Sequence, residues 1–173
     1  MGRRPGLTIN DDIGKVTTME KLRFDEDSAF TLADDAATIA RIVRTVSADR
    51  LRAVKFGDWT AVEVIGHLAD ASEMFAERVR RCIDEDRPAL PSFDPDVIAA
   101  ERRNAERDPM ELSRRVSAAH AQIVRLLMDE PARSRPGIHS EQGELDAGHF
   151  GAYQARHGHE HAVELAKAFP PSN

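Results

Sequence analysis

The stretch Trp59-Thr60-Ala61-Val62-Glu63-Val64 restricts the folding of this chain more than any other. Thr60 can accept the backbone amide of Glu63 while Glu63 reaches back to the Thr60 amide, a reciprocal cap that starts a helix. Trp59 stands just before the cap, placed to staple against Val64 one turn in. Val64, His67, Leu68, Ala71, Met74, Phe75, Val79 and Cys82 then recur at helical spacing, and the helix must stop before Pro88. A helix with so long an apolar side needs other helices to cover it.

Three more segments meet that need. Phe30, Ala33, Ala36, Ala37, Ala40, Val43 and Val46 predict a first helix from about Asp27 or Ser28 to Val46. Asp108-Pro109 with Glu111 opens another, with a stripe of Leu112, Val116, Ala119, Ile123, Leu126 and Leu127, closed by Pro131. Asp146 caps a last helix running to about Phe169 before Pro170-Pro171. A shorter helix is predicted from Asp96 to about Arg107. Residues 48–58, 87–97 and 131–145 are expected to be connections, the last long enough to suggest a functional loop. With few strand signals and aromatics at only 5%, the expectation is an all-α four-helix bundle with long inter-helix connections. Residues 1–26 lack periodicity and are read as an extended or loosely attached arm before a domain at 27–173.

The formal net charge of −6 argues against a nucleic-acid partner. No apolar run approaches a membrane span, and the first residues lack a signal-peptide core, so a cytoplasmic location is expected. Cys82 is the sole cysteine and reads as a small core residue. No glycine-rich phosphate loop and no nucleophile elbow occurs.

The chemistry-bearing residues are histidines. His157 and His161 are four apart, so a helix stacks them on one face, about 40° apart. Phe150 and Ala168 share that face, which turns it inward. Two inward imidazoles at this spacing can grip one divalent ion, or can be a hydrogen-bonded core pair. His67 lies on the amphipathic helix far upstream and can complete a three-histidine metal site. His159 points the other way, toward solvent. His149 sits at the stripe's edge, His139 in the long loop, and His120 beside the third helix's core. Glu164, one turn beyond His161, can orient a ligand from behind or act as a base, or can simply pair with Lys167. Asp70 and Glu73, near His67, have weaker versions of that claim. Arg78 lies near the His67 stripe and can hold an anionic substrate.

Two of these stretches carry a family resemblance. Trp59-Thr60-Ala61-Val62-Glu63-Val64-Ile65-Gly66-His67-Leu68-Ala69-Asp70-Ala71 resembles the second-helix hallmark of the DinB/YfiT-like superfamily of metal-dependent four-helix-bundle proteins. Tyr153-Gln154-Ala155-Arg156-His157-Gly158-His159-Glu160-His161-Ala162-Val163-Glu164-Leu165 resembles its C-terminal motif. The loop Gly137–Glu144 is similar to the family's segment before the last helix. Glu164 departs from the family, which usually carries Gln or a similar polar residue there. The resemblance spans roughly residues 28–168. It implies a bundle of unusual connectivity, a divalent ion, zinc or nickel, on His67, His157 and His161, and a homodimer. It further implies a small-molecule substrate, with a low-molecular-weight thiol as co-substrate of a transferase or isomerase. A metal-dependent hydrolase is the alternative chemistry, and a non-catalytic metal-binding or interaction bundle the alternative class.

Overall fold

The computed structural model describes residues 21–171. Most of the sequence-predicted arm therefore lies outside the described residues. Its end at Leu22 and Phe24 packs on the bundle, Phe24 as a buried core member.

Four long helices carry the fold: α1 (Glu26–Thr45), α3 (Ala61–Asp84), α5 (Pro109–Leu127) and α6 (Ala147–Ala168). Two short helices, α2 (Ala48–Ala53) and α4 (Pro95–Arg102), lie in the connections. Helix α3 packs mainly against α5 and α6, and so does α1. The helices consecutive in sequence among the long four, α1 and α3, thus stand diagonally, as do α5 and α6. The long connections make this possible, because neighbouring helices need not follow one another in the chain.

The starts are fixed locally. Thr60 and Glu63 form the reciprocal cap on α3. Asp25 and Ser28 form another on α1, while Asp108 with Pro109 opens α5 and Asp146 opens α6. The last of these matches its predicted boundary to the residue.

The first helix corrects its sequence reading. Phe30 is 70% exposed, and Ala33 and Ala37 face solvent. The face turned inward is Leu32, Asp35, Ile39, Ile42 and Val43. An alanine stripe on the opposite side mimicked a core face, and the buried Asp35 interrupted the true one.

The connections hold more order than expected of loops. Strands β1 (Lys55–Phe56) and β2 (Trp59–Thr60) form a small hairpin before α3. Strand β3 (Ala89–Leu90) pairs in parallel with β4 (Pro136–His139), and β4 pairs antiparallel with β5 (Gly143–Asp146). Gly143 takes the left-handed conformation that ends the β4–β5 turn. The 131–145 connection is thereby tied to α3's exit, with Leu90 opposite His139.

The core has two apolar clusters. Phe75, Val79, Ile123, Leu127, Phe150 and Tyr153 belong to one. Ile39, Ile65, Leu68, Leu112, Val116 and Leu165 belong to the other. Ser72, His120 and Gln154 form a buried polar tie among the same helices. His120 Nδ1 lies 2.8 Å from the Leu32 carbonyl and its Nε2 3.0 Å from Ser72 Oγ, while Gln154 donates to Ser72 Oγ at 2.9 Å. All four long helices meet in this network, so their relative heights are set by directional bonds as well as by packing. Among the described residues, no helix is long and apolar enough to cross a membrane.

Candidate metal centre

His67 on α3 and His157 and His161 on α6 are brought together. Their Nε2 atoms converge: His67 to His157 at 3.3 Å and His161 to His157 at 3.2 Å. All three residues are buried. The helix spacing places the pair on α6, and the antiparallel packing of α3 on α6 brings in the third. Among the described residues, these are the one group whose ligand atoms could share a metal ion.

The arrangement fits an ion better than it fits a hydrogen-bonded core. A hydrogen bond uses one proton and one lone pair, so three converging ring nitrogens cannot all satisfy one another. Around a tetrahedral zinc, nitrogens roughly 2.0–2.1 Å from the metal stand roughly 3.3 Å apart, which matches the two separations from His157, and all three ligand atoms lie within 4.8 Å of one another. Burial also keeps the rings neutral, as a ligand must be. It depresses His157 to about 3, with the charges of His161 and Arg156 adding to the effect. Burial takes His161 down to about 4. His67 is pushed well below the ordinary histidine range, first by burial and then by the other two rings.

Neighbouring side chains wall the site. The Trp59 ring lies 5.2 Å from His67, and Tyr153 stacks on His157 at 6.1 Å. Trp59, placed by the sequence at the helix start, therefore also covers the His67 ring. Glu164 Oε2 stands 4.0 Å from His161 Nδ1 with its side chain 40% exposed, too far for a hydrogen bond.

The other sequence candidates separate cleanly. His120 is a satisfied core histidine of the polar tie, held near 4 chiefly by burial. His159 is exposed as expected but also bonds Asp35 Oδ1 at 2.9 Å. Burial raises the Asp35 carboxyl, and the His159 contact opposes that. The sequence does not single out this pair, since nothing near Asp35 marks a partner 124 residues away. Asp70 and Glu73 are engaged with Arg115, at 2.6 and 2.7 Å, and Asp70 also accepts from Asn104 at 2.7 Å. They brace α3 against α5. Cys82 is fully buried, and burial first, then Asp146, lifts its thiol to about 11. His139 and His149 are buried at the far end of α6's inward face, and Arg78 lies against the phenylalanines there.

The sequence profile of the DinB superfamily matches residues 31–165. The chain belongs to the DinB superfamily. Its fold is similar to that of YfiT from Bacillus subtilis, described as a probable metal-dependent hydrolase with an unusual four-helix bundle topology. That likeness has a TM-score of 0.71 at 19% identity, covering 96% of this chain and 100% of the other. A mycothiol-dependent maleylpyruvate isomerase is similar too, in mutant and unaltered form, with a TM-score of 0.64 at 14% identity. There the likeness covers 81% of this chain and 60% of the isomerase, so this chain spans less than two thirds of that enzyme. At such identities the likeness speaks to the fold. No curated protein sequence matches the chain.

Proposed function

We propose that this DinB-superfamily protein is a metal-dependent enzyme in which His67, His157 and His161 hold one divalent ion, zinc or nickel. The observation that carries the reading is the convergence of three neutral, buried Nε2 atoms on one point. A divalent ion held there would supply Lewis acidity and would acidify a water or a thiol that joins it. The chain's own residues do the rest. Burial holds the three imidazoles neutral at neutral pH, so their lone pairs are available without losing a proton first. Tyr153 and Trp59 exclude water from the flanks of His157 and His67. The polar tie of Ser72, His120 and Gln154 keeps α3 and α6 at matching heights, which holds His67 level with its partners.

Glu164 belongs to this reading as a positioning residue. It stands on the Nδ1 side of His161, behind the ring and away from the converging nitrogens. A rotation of its half-exposed side chain would let it accept the Nδ1 proton and fix the tautomer that presents Nε2 forward.

For the chemistry we favour transfer or isomerisation assisted by a low-molecular-weight thiol. Support comes from the structural likeness to a mycothiol-dependent isomerase and from the unsuitability of Cys82, whose buried thiol is held protonated. An external thiol would therefore supply the nucleophile. Hydrolysis is the second reading, favoured by the likeness to a probable metal-dependent hydrolase along nearly the whole chain. A cytoplasmic homodimer is the setting expected for either. The two chemistries separate in a turnover assay of the metal-loaded protein on activated esters and on electrophilic acceptors, with and without added thiol. Product formation that requires thiol supports the first reading, and ester cleavage without thiol supports the second. Turnover unaffected by chelation would overturn both.

A further inference from the structure

Helix α3 carries a second functional-looking side chain on the same face as His67. Arg78 lies eleven residues on, about three turns and roughly 16 Å along the axis. It is 4% exposed, and its guanidinium sits over Phe75, Phe93 and Phe150 at 5.1, 5.3 and 5.6 Å. Nη2 donates to the Pro91 carbonyl at 2.7 Å. Pro91 directly follows Leu90, whose register partner on β4 is His139. The strand pairing thus sets His139 beside the arginine.

His139 is 2% exposed, and its ring has a fixed polarity. Nδ1 accepts the Glu141 amide at 3.2 Å, so the neutral ring carries its proton on Nε2. That Nε2 is buried and has no hydrogen-bond partner. A buried N–H donor of this kind costs stability unless an acceptor reaches it. Here it stands close enough to Arg78 that the guanidinium charge lowers its proton affinity, after burial and against the opposing pull of Glu141. A donor and a cation together select an anion. His149 adds a ring of the same polarity nearby, since its Nδ1 accepts the Leu22 amide at 3.1 Å. Asp146, its nearest carboxylate, is occupied capping α6 and pairing with Lys21.

An apolar track joins this place to the three histidines. Phe75 packs on Tyr153 at 5.1 Å, and Tyr153 stacks on His157 at 6.1 Å. Phe93, from the segment between β3 and α4, lies edge-on to Phe75 at 6.4 Å and covers the arginine. It is only half-buried.

Building on the metal reading above, we propose that Arg78 and His139 form a subsite for the carboxylate of an elongated substrate or thiol co-substrate, whose reacting end meets His67, His157 and His161 and whose apolar middle lies along Phe75 and Tyr153. Entry requires displacement of Phe93.

The test is calorimetric titration of the metal-loaded protein with ω-mercaptocarboxylates of increasing chain length. Matching ω-mercapto alcohols and plain fatty carboxylates serve as comparisons. At the length that spans the two sites, the thiol acid binds roughly tenfold to a hundredfold tighter than its alcohol analogue. That advantage disappears in Arg78→Met and in His139→Asn with metal content unchanged. The asparagine keeps an acceptor for the Glu141 amide and removes the Nε2 donor, so it reads the subsite even where Arg78→Met fails to fold. Equal binding of acid and alcohol at every length, or an advantage untouched by His139→Asn, overturns the proposal. Failure of the metal reading shows differently: the protein retains no zinc or nickel, and thiol acid and plain carboxylate bind alike, while the advantage over the alcohol persists and still depends on His139. Where both hold, a thiol acid tighter than the plain acid places the carboxylate on the thiol co-substrate, and equal binding of the two in a protein that retains its metal places it on the substrate.

Discussion

Acid should unfold the metal-free protein at a pH where most bundles of this size are intact. The perturbation is titration from pH 7 downward after chelation. Four buried histidines, His67, His120, His157 and His161, have folded-state proton affinities depressed well below the ordinary value of 6.5. The sign follows from proton linkage: below 6.5 the unfolded chain takes up protons that the folded chain refuses, so stability falls as pH falls. The loss starts near 6.5 and continues to about 4 for His120 and His161 and to about 3 for His157. One unit below 6.5, each such group costs about 1.4 kcal/mol. Four together cost roughly 5–6 kcal/mol at pH 5.5, comparable with the whole stability of an ordinary domain, about 5–15 kcal/mol. Urea unfolding followed by Trp59 fluorescence and circular dichroism at pH 7, 6 and 5.5 measures the slope. Its midpoint should fall steeply, and His120→Gln should remove about a quarter of the dependence. A midpoint flat from pH 7 to 5 would refute the claim that these rings are buried neutral.

Other outcomes follow from single contacts. Gly66→Ala puts a methyl 2.6–2.8 Å from the Asn104 side chain, which Asp70 holds; a loss of about 1–3 kcal/mol in urea unfolding is expected. Arg115→Ala strips the buried Asp70 of its 2.6 Å partner and should cost about 3 kcal/mol by the same assay. Cys82, buried and lifted to about 11, should resist thiol-specific reagents at pH 8 in the folded protein and react promptly in denaturant.

The parts of this molecule legible in its sequence are those where local chemistry and tertiary structure agree. Thr60 with Glu63 and Asp146 announced two helix starts, because a cap is satisfied within one turn whatever surrounds it. The spacing of His157 and His161 put both rings on one face for the same reason. The helix register at Phe30 misled, since alanine fits either side of a helix and only packing chooses between them. Asp35 and His139 were opaque because burial of a polar side chain depends on partners distant in sequence: His159 for one, and the β3–β4 pairing beside Arg78 for the other. The tie of Ser72, His120 and Gln154 was hidden for the same reason, although each member is now seen to lie on an inward face.

The central claim is that His67, His157 and His161 hold a metal ion together. Elemental analysis of protein purified without a histidine tag, beside His67→Ala, His157→Ala, His161→Ala and His159→Ala, tests it most directly. One divalent ion per chain is expected in the parent and in His159→Ala, falling sharply in each of the other three. Equal metal in all five proteins, or none in the parent even after incubation with zinc or nickel, would contradict it.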